Sequence, residues 1–196
     1  MTRDVAILAF DQMEVLDFAG PFEVLTTCNR VAERSGVEVP FRVTNVADMP
    51  MVRARAGMTI VVDRHLRDVL HVDVVGVPGG VTSDVEVNER VTSWLRTITD
   101  DVEIVASVCT GVFVLAAAGV VHDEEVTTHW EDVDELSARF PRLQVRRDVR
   151  WVDQGRVVTS AGISAGIDMS LHLVERLASA ELAQATAHWM DYDWRR

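Results

Sequence analysis

The chain has 196 residues, of which 48% are hydrophobic, so it can bury the core of one domain. Its formal net charge is −12, and the resulting field repels nucleic acid and anionic membrane surfaces. No apolar run approaches the ~18 residues of a membrane-spanning helix, and the N-terminal stretch MTRDVAILAF is too short for a secretion signal. We therefore expect one soluble, cytoplasmic domain over residues 1–196, without nucleic-acid or membrane partners.

Strand and helix patterns alternate along the chain. Strands are predicted at residues 4–10, 40–46, 58–62, 72–77, 102–108, 126–128, 144–153 and 156–160. Helices are predicted at about 21–34, 84–98, 112–118, 128–139, 167–177 and 180–190. Pro21 suits the first position of the first helix, and Gly36 suits its end. This alternation predicts an α/β sandwich with a mostly parallel central sheet, whose ligand crevice lies at the carboxyl ends of the strands.

The segment EIVASVCTGVFVLAAAG at 103–119 changes from a buried strand to an Ala-rich helix at Cys109. The local pattern S-x-C-x-G, with Ser107 and Gly111 as small neighbours, predicts a nucleophile elbow that exposes the thiol above the sheet. Unpaired N–H groups at the start of the helix favour a thiolate and receive developing negative charge. The alternative is a small apolar residue at the end of a buried strand.

Two further loops are expected to meet this elbow in the crevice, at residues 11–20 and 78–81. The backbone N–H groups of Gly79 and Gly80 are candidate oxyanion donors, together with the amides at Gly111. An ordinary tight turn explains the same two glycines. The thiol, however, makes the oxyanion hypothesis worth testing.

The acid of the site is predicted to be Asp17, although Glu14 competes for the role. Leu16 and Phe18 flank Asp17, and desolvation by apolar neighbours raises the pKa of a carboxyl group and keeps a proton available for donation. The alternatives are a turn or capping carboxylate at Asp17 and a solvated surface carboxylate at Glu14. Thr110 is a candidate hydrogen-bond donor to the thiolate or to a bound substrate.

Among the remaining reactive residue types, His129 is the histidine expected beside Cys109, although it also suits simple packing where Thr128-His129-Trp130-Glu131 forms a capping box. Cys28 falls on an apolar helix face and is predicted to be a core residue, and His188 is predicted at the surface or an interface. The histidines and cysteines lack metal-ligand spacing, and SAGISAG is not a dinucleotide fingerprint. We infer no metal and no cofactor.

The pattern as a whole resembles the DJ-1/PfpI superfamily, which has a flavodoxin-like, class I glutamine amidotransferase-like fold with three layers. The resemblance runs along nearly the whole chain. The matching segments are AFDQMEVLDFAGPFEVL at 9–25, DVVGVPGG at 73–80, VASVCTGVFVLAAAG at 105–119, VTTHW at 126–130 and VVTSAGISAGIDMSLHLVERL at 157–177.

Within this superfamily the chain resembles isonitrile hydratases and the sensor-like domains of AraC-type regulators. The resemblance implies hydration of an isonitrile to an N-substituted formamide, with Asp17, Cys109 and Thr110 as catalytic residues, in a homodimer. Thr110 stands where the PfpI proteases have histidine, which disfavours peptidase activity. The branch with DJ-1 itself has glutamate in place of Asp17, so glyoxalase or deglycase activity stays open, as does a non-catalytic small-molecule or redox sensor. A DNA-binding regulator would need a further domain and is not expected.

Overall fold

A computed structural model describes residues 1–196. The strands are β1 (Arg3–Leu8), β2 (Phe41–Ala47), β3 (Met51–Arg53), β4 (Thr59–Val61), β5 (Arg64–His65), β6 (Val74–Val77), β7 (Ile104–Val108), β8 (Glu125–Val126), β9 (Gln144–Val145), β10 (Trp151–Gln154) and β11 (Val157–Ser160). The helices are α1 (Val15–Arg34), α2 (Ser83–Glu86), α3 (Glu89–Ile98), α4 (Gly111–Ala117), α5 (Val133–Arg139), α6 (Ala165–Leu177) and α7 (Ala180–Trp189). None of these helices is both long and apolar enough to cross a membrane.

The centre of the molecule is a seven-stranded sheet in the order β10-β11-β7-β6-β1-β2-β5. All neighbouring pairs are parallel except β10 with β11, which form an antiparallel hairpin. Helices α1, α6 and α7 pack together in one layer, and α2, α3 and α4 pack together in another. The predicted three-layer α/β sandwich with a mostly parallel sheet is therefore confirmed, and β7 is buried along its entire length because both of its faces are covered.

The first helix begins earlier than predicted, at Val15 instead of Pro21, which lies inside α1. The N–H of Glu14 donates to the carbonyl of Gly79 at 2.8 Å, and this contact between distant segments fixes the chain just before the helix. Proline lacks an N–H, so Pro21 leaves the carbonyl of Asp17 without its usual partner four residues on. Because α1 begins at Val15, Asp17 lies in the first turn of this helix and not in the loop where it was expected.

Three other predicted elements are divided or shortened. The helix predicted at 84–98 is two helices, because the side chain of Asn88 accepts a hydrogen bond from the N–H of Arg90 and starts α3 anew. The strand predicted at 144–153 is likewise β9, which pairs with β8, and a separate β10. β1 ends at Leu8, two residues before the expected Phe10, and a turn follows in which the N–H of Met13 donates to the carbonyl of Phe10 at 3.3 Å.

Residues 11–14, which follow the carboxyl end of β1, form backbone contacts with a different segment on each side. On one side, the N–H of Gln12 donates to the carbonyl of Arg53 at 2.8 Å, next to the small β3–β4 hairpin. On the other side, Met13 forms an isolated antiparallel bridge with Gly80. These bonds place Glu14 and the start of α1 directly beside the turn after β6.

Candidate active site

Cys109 follows β7 directly and has the backbone geometry expected of a nucleophile elbow. Its φ is 56°, a left-handed conformation that is costly for a residue other than glycine and that persists only where neighbouring bonds enforce it. The Cys109 N–H donates to the carbonyl of Ser160 at 3.1 Å, and its carbonyl accepts a hydrogen bond from the Thr128 hydroxyl at 2.9 Å. The backbone of the elbow is thus held from two neighbouring segments.

The hydroxyl of Thr128 was predicted to cap a helix, and this prediction is wrong. Thr128 is 1% exposed, and its hydroxyl group donates its hydrogen bond to the carbonyl of Cys109. His129 instead precedes the short 3₁₀ turn at Trp130–Asp132, and its Nδ1 accepts the N–H of Glu131 at 3.4 Å. The segment between β8 and α5 therefore holds the backbone of Cys109 in place and does not start a capped α-helix.

Glycines allow the elbow to pack closely against the turn after β6. A Cβ on Gly79 would lie 2.6 Å from the nitrogen of Thr110 and 2.8 Å from the Cβ of Cys109. A Cβ on Gly111 would lie 2.2 Å from the carbonyl oxygen of Val77. Real Cβ atoms do not approach other atoms this closely, so larger residues at either position would push the two loops apart.

Asp17 is a buried carboxyl group without a full set of hydrogen bonds. It is 1% exposed, and neither oxygen receives a hydrogen bond of good geometry. Burial raises the pKa of Asp17 from 3.8 to about 6, although the Cys109 thiol and the nearby amides of Gly79 and Ile163 stabilise its charge in part. The expectation that apolar surroundings raise the pKa of Asp17 agrees with this geometry.

The thiol of Cys109 is not the preformed thiolate that the helix start suggested. Cys109 is 8% exposed, and burial raises its pKa to about 12, with a further contribution from the negative charge of Asp17. The N–H of Thr110 acts in the opposite direction but is outweighed. Between about pH 6 and pH 12 the Asp17–Cys109 pair therefore holds one proton, which rests mainly on sulfur.

Thr110 joins the elbow to the turn after β6 through its hydroxyl group. Thr110 Oγ1 accepts the N–H of Gly80 at 2.9 Å and lies 3.0 Å from the carbonyl oxygen of Gly80. The Gly80 amide is therefore occupied, and the Gly79 amide faces Asp17. Gly79 and Gly80 could act as oxyanion donors only if a substrate displaced their amides from Asp17 and Thr110. In this conformation the two amides instead position the side chains of Asp17 and Thr110.

A pocket of about 210 Å³ opens over Cys109 and is small enough to favour a small ligand. Its lining includes the predicted residues Cys109, Thr110, Gly80 and His129 and also Glu14, Arg55, Glu131, Asp132 and Ile163. The last four were not expected from the sequence. Glu131 and Asp132 adjoin the VTTHW motif, whereas Arg55 reaches the site through its 3.5 Å ion pair with Glu14. Only the folded chain reveals that contact.

The His129 ring is packed tightly at the side of this pocket. A Cβ on Gly162 would lie 2.1 Å from a ring carbon, so the ring packs closely against the loop that precedes α6. His129 Nδ1 is 3.4 Å from a carboxyl oxygen of Asp132. The structure therefore places His129 at the pocket, as predicted, and in contact with an acid.

The other cysteine and the remaining histidine candidate lie outside the site. Cys28 is fully buried on α1, where burial raises its pKa to about 11 against a hydrogen bond with Thr186, so its predicted core position is confirmed. His188 is exposed on α7, as predicted. No group of three or more histidine, cysteine, aspartate or glutamate side chains is placed to hold a metal ion.

One known protein family matches most of the chain. The family model described as the DJ-1/PfpI family matches residues 3–176, most of the chain. The chain belongs to the DJ-1/PfpI family. Among its DJ-1/PfpI relatives, the isonitrile hydratase of Pseudomonas putida is 30% identical over 193 residues, which are 98% of this chain and 79% of that protein.

Other DJ-1/PfpI relatives have different names and lengths. The HTH-type transcriptional regulator GbdR of Pseudomonas aeruginosa is 29% identical over 97% of this chain, but the chain spans only 51% of that regulator. A crystal structure of a ThiJ/PfpI family protein from Pseudomonas syringae matches 100% of this chain and 77% of its own with a TM-score of 0.87. Its 24% sequence identity supports the fold alone.

Proposed function

We propose that this DJ-1/PfpI protein hydrates a small isonitrile to an N-substituted formamide. The observation that carries the proposal is the Asp17–Cys109 pair, in which a thiol and a buried carboxyl group share one proton beneath a pocket of about 210 Å³. The similarity to the Pseudomonas putida isonitrile hydratase supports the same reaction. A reaction that needs both a nucleophile and a proton at one carbon atom suits this pair.

The first step adds the thiol across the terminal carbon of the isonitrile. The Asp17 carboxylate accepts the thiol proton as sulfur attacks, so a high thiol pKa does not prevent reaction. Asp17 then delivers that proton to the same carbon, which gives a thioimidate with one new C–S and one new C–H bond. The negative charge passes to the isonitrile carbon as the C–S bond forms and returns to Asp17 when the proton is delivered, and no metal or cofactor is involved in the proposed step.

The second step consumes one water molecule. Water adds its oxygen to the C=N carbon of the thioimidate, and one of its protons passes to the nitrogen. The C–S bond then breaks, the second proton passes to sulfur, and the N-substituted formamide leaves. Asp17 is the base for water and then the acid for the departing sulfur. Thr110 holds the elbow against Gly80, and His129 bounds the substrate on the opposite side.

The decisive experiment is direct measurement of formamide formed from small alkyl and aryl isonitriles. We expect product from the wild type and from Cys28→Ala, because Cys28 is buried in the core away from the pocket. Cys109→Ala should give none. Equal product from Cys109→Ala, or none from a folded wild type across the series, would overturn the proposal.

The rate of hydration should depend on pH through the Asp17–Cys109 pair. The reactive form holds one proton, so kcat/KM should rise about tenfold per pH unit below pH 6 and stay level from about pH 7 to 9, since the pKa of Asp17 is about 6 and that of Cys109 is about 12. A pH–rate profile in constant-ionic-strength buffers measures this. A fall in rate as pH rises from 5 to 7 would contradict the assignment.

A second function, small-molecule sensing without turnover, is supported by the burial of Cys109 and by the similarity to GbdR. A sensor would bind an isonitrile or another small ligand with a saturable affinity that Cys109→Ala retains, and it would release no formamide. Titration calorimetry beside the product assay separates the two functions. Association as a homodimer is a further proposal, which light scattering of the purified chain tests.

A further inference from the structure

The carboxylates around the pocket are only partly balanced by positive charge. Glu14 and Arg55 form an ion pair at 3.5 Å, and their charges largely cancel. Arg55 is the only lysine or arginine in the lining. Glu131 and Asp132 approach no guanidinium or ammonium group, and their nearest basic atom is Nδ1 of His129, at 3.8 Å and 3.4 Å.

A buried carboxyl group behind the Cys109 thiol, outside the pocket lining, adds to this negative charge. Asp17 lies beside the Cys109 thiol, is 1% exposed and has no hydrogen bond of good geometry to either carboxyl oxygen. Above pH 6 the pair of Asp17 and Cys109 carries one negative charge, because only one proton is shared between them. Solvent screens this buried charge less than it screens a surface charge.

We propose that the pocket selects small ligands by charge, admitting cationic and neutral molecules and rejecting anions. Applied to the proposed hydration, the substrate class is an isonitrile whose substituent is an ammonium or uncharged group and not a carboxylate or phosphate. This second statement rests on the proposed function, whereas the charge selection at Cys109 does not. The chain's net charge of −12 acts in the same direction at long range, so the test must separate local from global charge.

The test measures the labelling rate of Cys109 by methanethiosulfonates that differ in charge. The sulfur of Cys109 attacks the sulfenyl sulfur, forms a mixed disulfide and releases methanesulfinate, so no turnover is needed. The probes are the 2-(trimethylammonio)ethyl, methyl and 2-sulfonatoethyl reagents, and mass spectrometry follows modification at pH 8. Rates for the urea-unfolded chain provide the intrinsic reactivity of each reagent. We expect the cationic-to-anionic rate ratio to exceed that of the unfolded chain by at least about tenfold at low salt.

A pair of charge-matched variants separates the pocket from the whole molecule. Glu131→Gln with Asp132→Asn removes two carboxylates from the lining. Asp100→Asn with Asp101→Asn removes two exposed carboxylates just before β7, at the end of that strand opposite to Cys109. The first variant should lose most of the selectivity, and the second should keep it. The neutral methyl reagent checks that the thiol is equally accessible in both variants, and circular dichroism checks their folding.

Two results would overturn the proposal: a rate ratio equal to that of the unfolded chain, or an equal loss of selectivity in the two variants. A parallel comparison of 2-aminoethyl and carboxymethyl isonitriles tests the substrate class, with the amine expected to give the higher kcat/KM. Charge-selective labelling without formamide from any isonitrile would refute the hydratase and leave the charge selection standing. Formamide from both isonitriles at equal rates would support the hydratase and refute the substrate class.

Discussion

Asp17→Asn is expected to lower kcat/KM for isonitrile hydration by about 10²- to 10⁴-fold, the usual contribution of a positioned acid or base. The same substitution should make the folded protein more stable at neutral pH. Asparagine keeps the shape of the side chain but neither accepts the thiol proton nor carries a buried charge. Loss of activity together with a gain in stability would distinguish a reactive group from a structural one.

The stability gain follows from the direction of the pKa shift. The pKa of Asp17 is about 6 in the folded chain against 3.8 as its ordinary value, because burial disfavours the charged form. Asp17 therefore does not lower the free energy of unfolding of the wild type below about pH 4. As the pH rises through 6, it lowers this free energy by up to about 3 kcal/mol. Asparagine does not titrate, so the difference between variant and wild type should be small at pH 4 and reach about 1–3 kcal/mol at pH 7.5.

Thermal unfolding at the two pH values measures this difference, with an increase in Tm of roughly 5 °C expected at pH 7.5. Asp153→Asn is the opposite control. Burial raises the pKa of Asp153, but hydrogen bonds from His172 and Gly155 and the charge of Arg176 outweigh it and leave the pKa lowered. That variant should be less stable than the wild type at pH 7.5. A lower Tm for Asp17→Asn at pH 7.5 would show that its carboxylate is stabilised in the native state.

Gly79→Ala is expected to lower kcat/KM by at least about 100-fold, since misplacing a reacting group by about 1 Å has effects of this size. The new Cβ would lie 2.6 Å from the nitrogen of Thr110 and 2.8 Å from the Cβ of Cys109, so the elbow must move. Steady-state kinetics measure the loss, and the rate of Cys109 alkylation by iodoacetamide reports the displacement without a substrate.

Gly155→Ala is the matched control for this substitution. Gly155 has a φ of 77° in the β10–β11 turn, and a Cβ there meets no atom within 4 Å. Alanine should therefore cost about 1–2 kcal/mol of stability through backbone strain while leaving kcat/KM unchanged. If Gly79→Ala behaved in the same way as Gly155→Ala, the close approach of the turn to the elbow would have no part in catalysis.

The elements that local pattern determines were predictable from the sequence. The buried run before Cys109 and the amphipathic pattern of α6 occur where the pattern indicated. The hairpin of β10 and β11 also forms between the predicted strands, although Gln154 still pairs with Val157 and the turn is therefore at residues 155–156. The presence of Cys109 and Thr110 in one pocket followed from the strand-to-helix change alone. Their partner Asp17 was identified from its apolar neighbours in the sequence. Its raised pKa comes from burial in the folded chain, since Leu16 itself is exposed.

Properties that depend on contacts between distant segments were not predictable. The start of α1 depends on the bond from Glu14 to Gly79, and the hydroxyl of Thr128 serves the carbonyl of Cys109 in place of a helix end. The protonation of Cys109 was misjudged for the same reason. A helix start favours a thiolate, but burial and the neighbouring Asp17 outweigh it, and both arise from tertiary packing.

The two edge strands of the central sheet affect how the chain behaves at high concentration. One edge is β5, which consists only of Arg64 and His65, so it presents almost no free backbone for another strand to join. The other edge is β10, where Asp153 is bound by His172 and Arg176. Short strands and charged side chains at sheet edges oppose strand-to-strand aggregation. Concentrated solutions should therefore resist fibril formation, and any association of subunits should use surfaces other than these two edges.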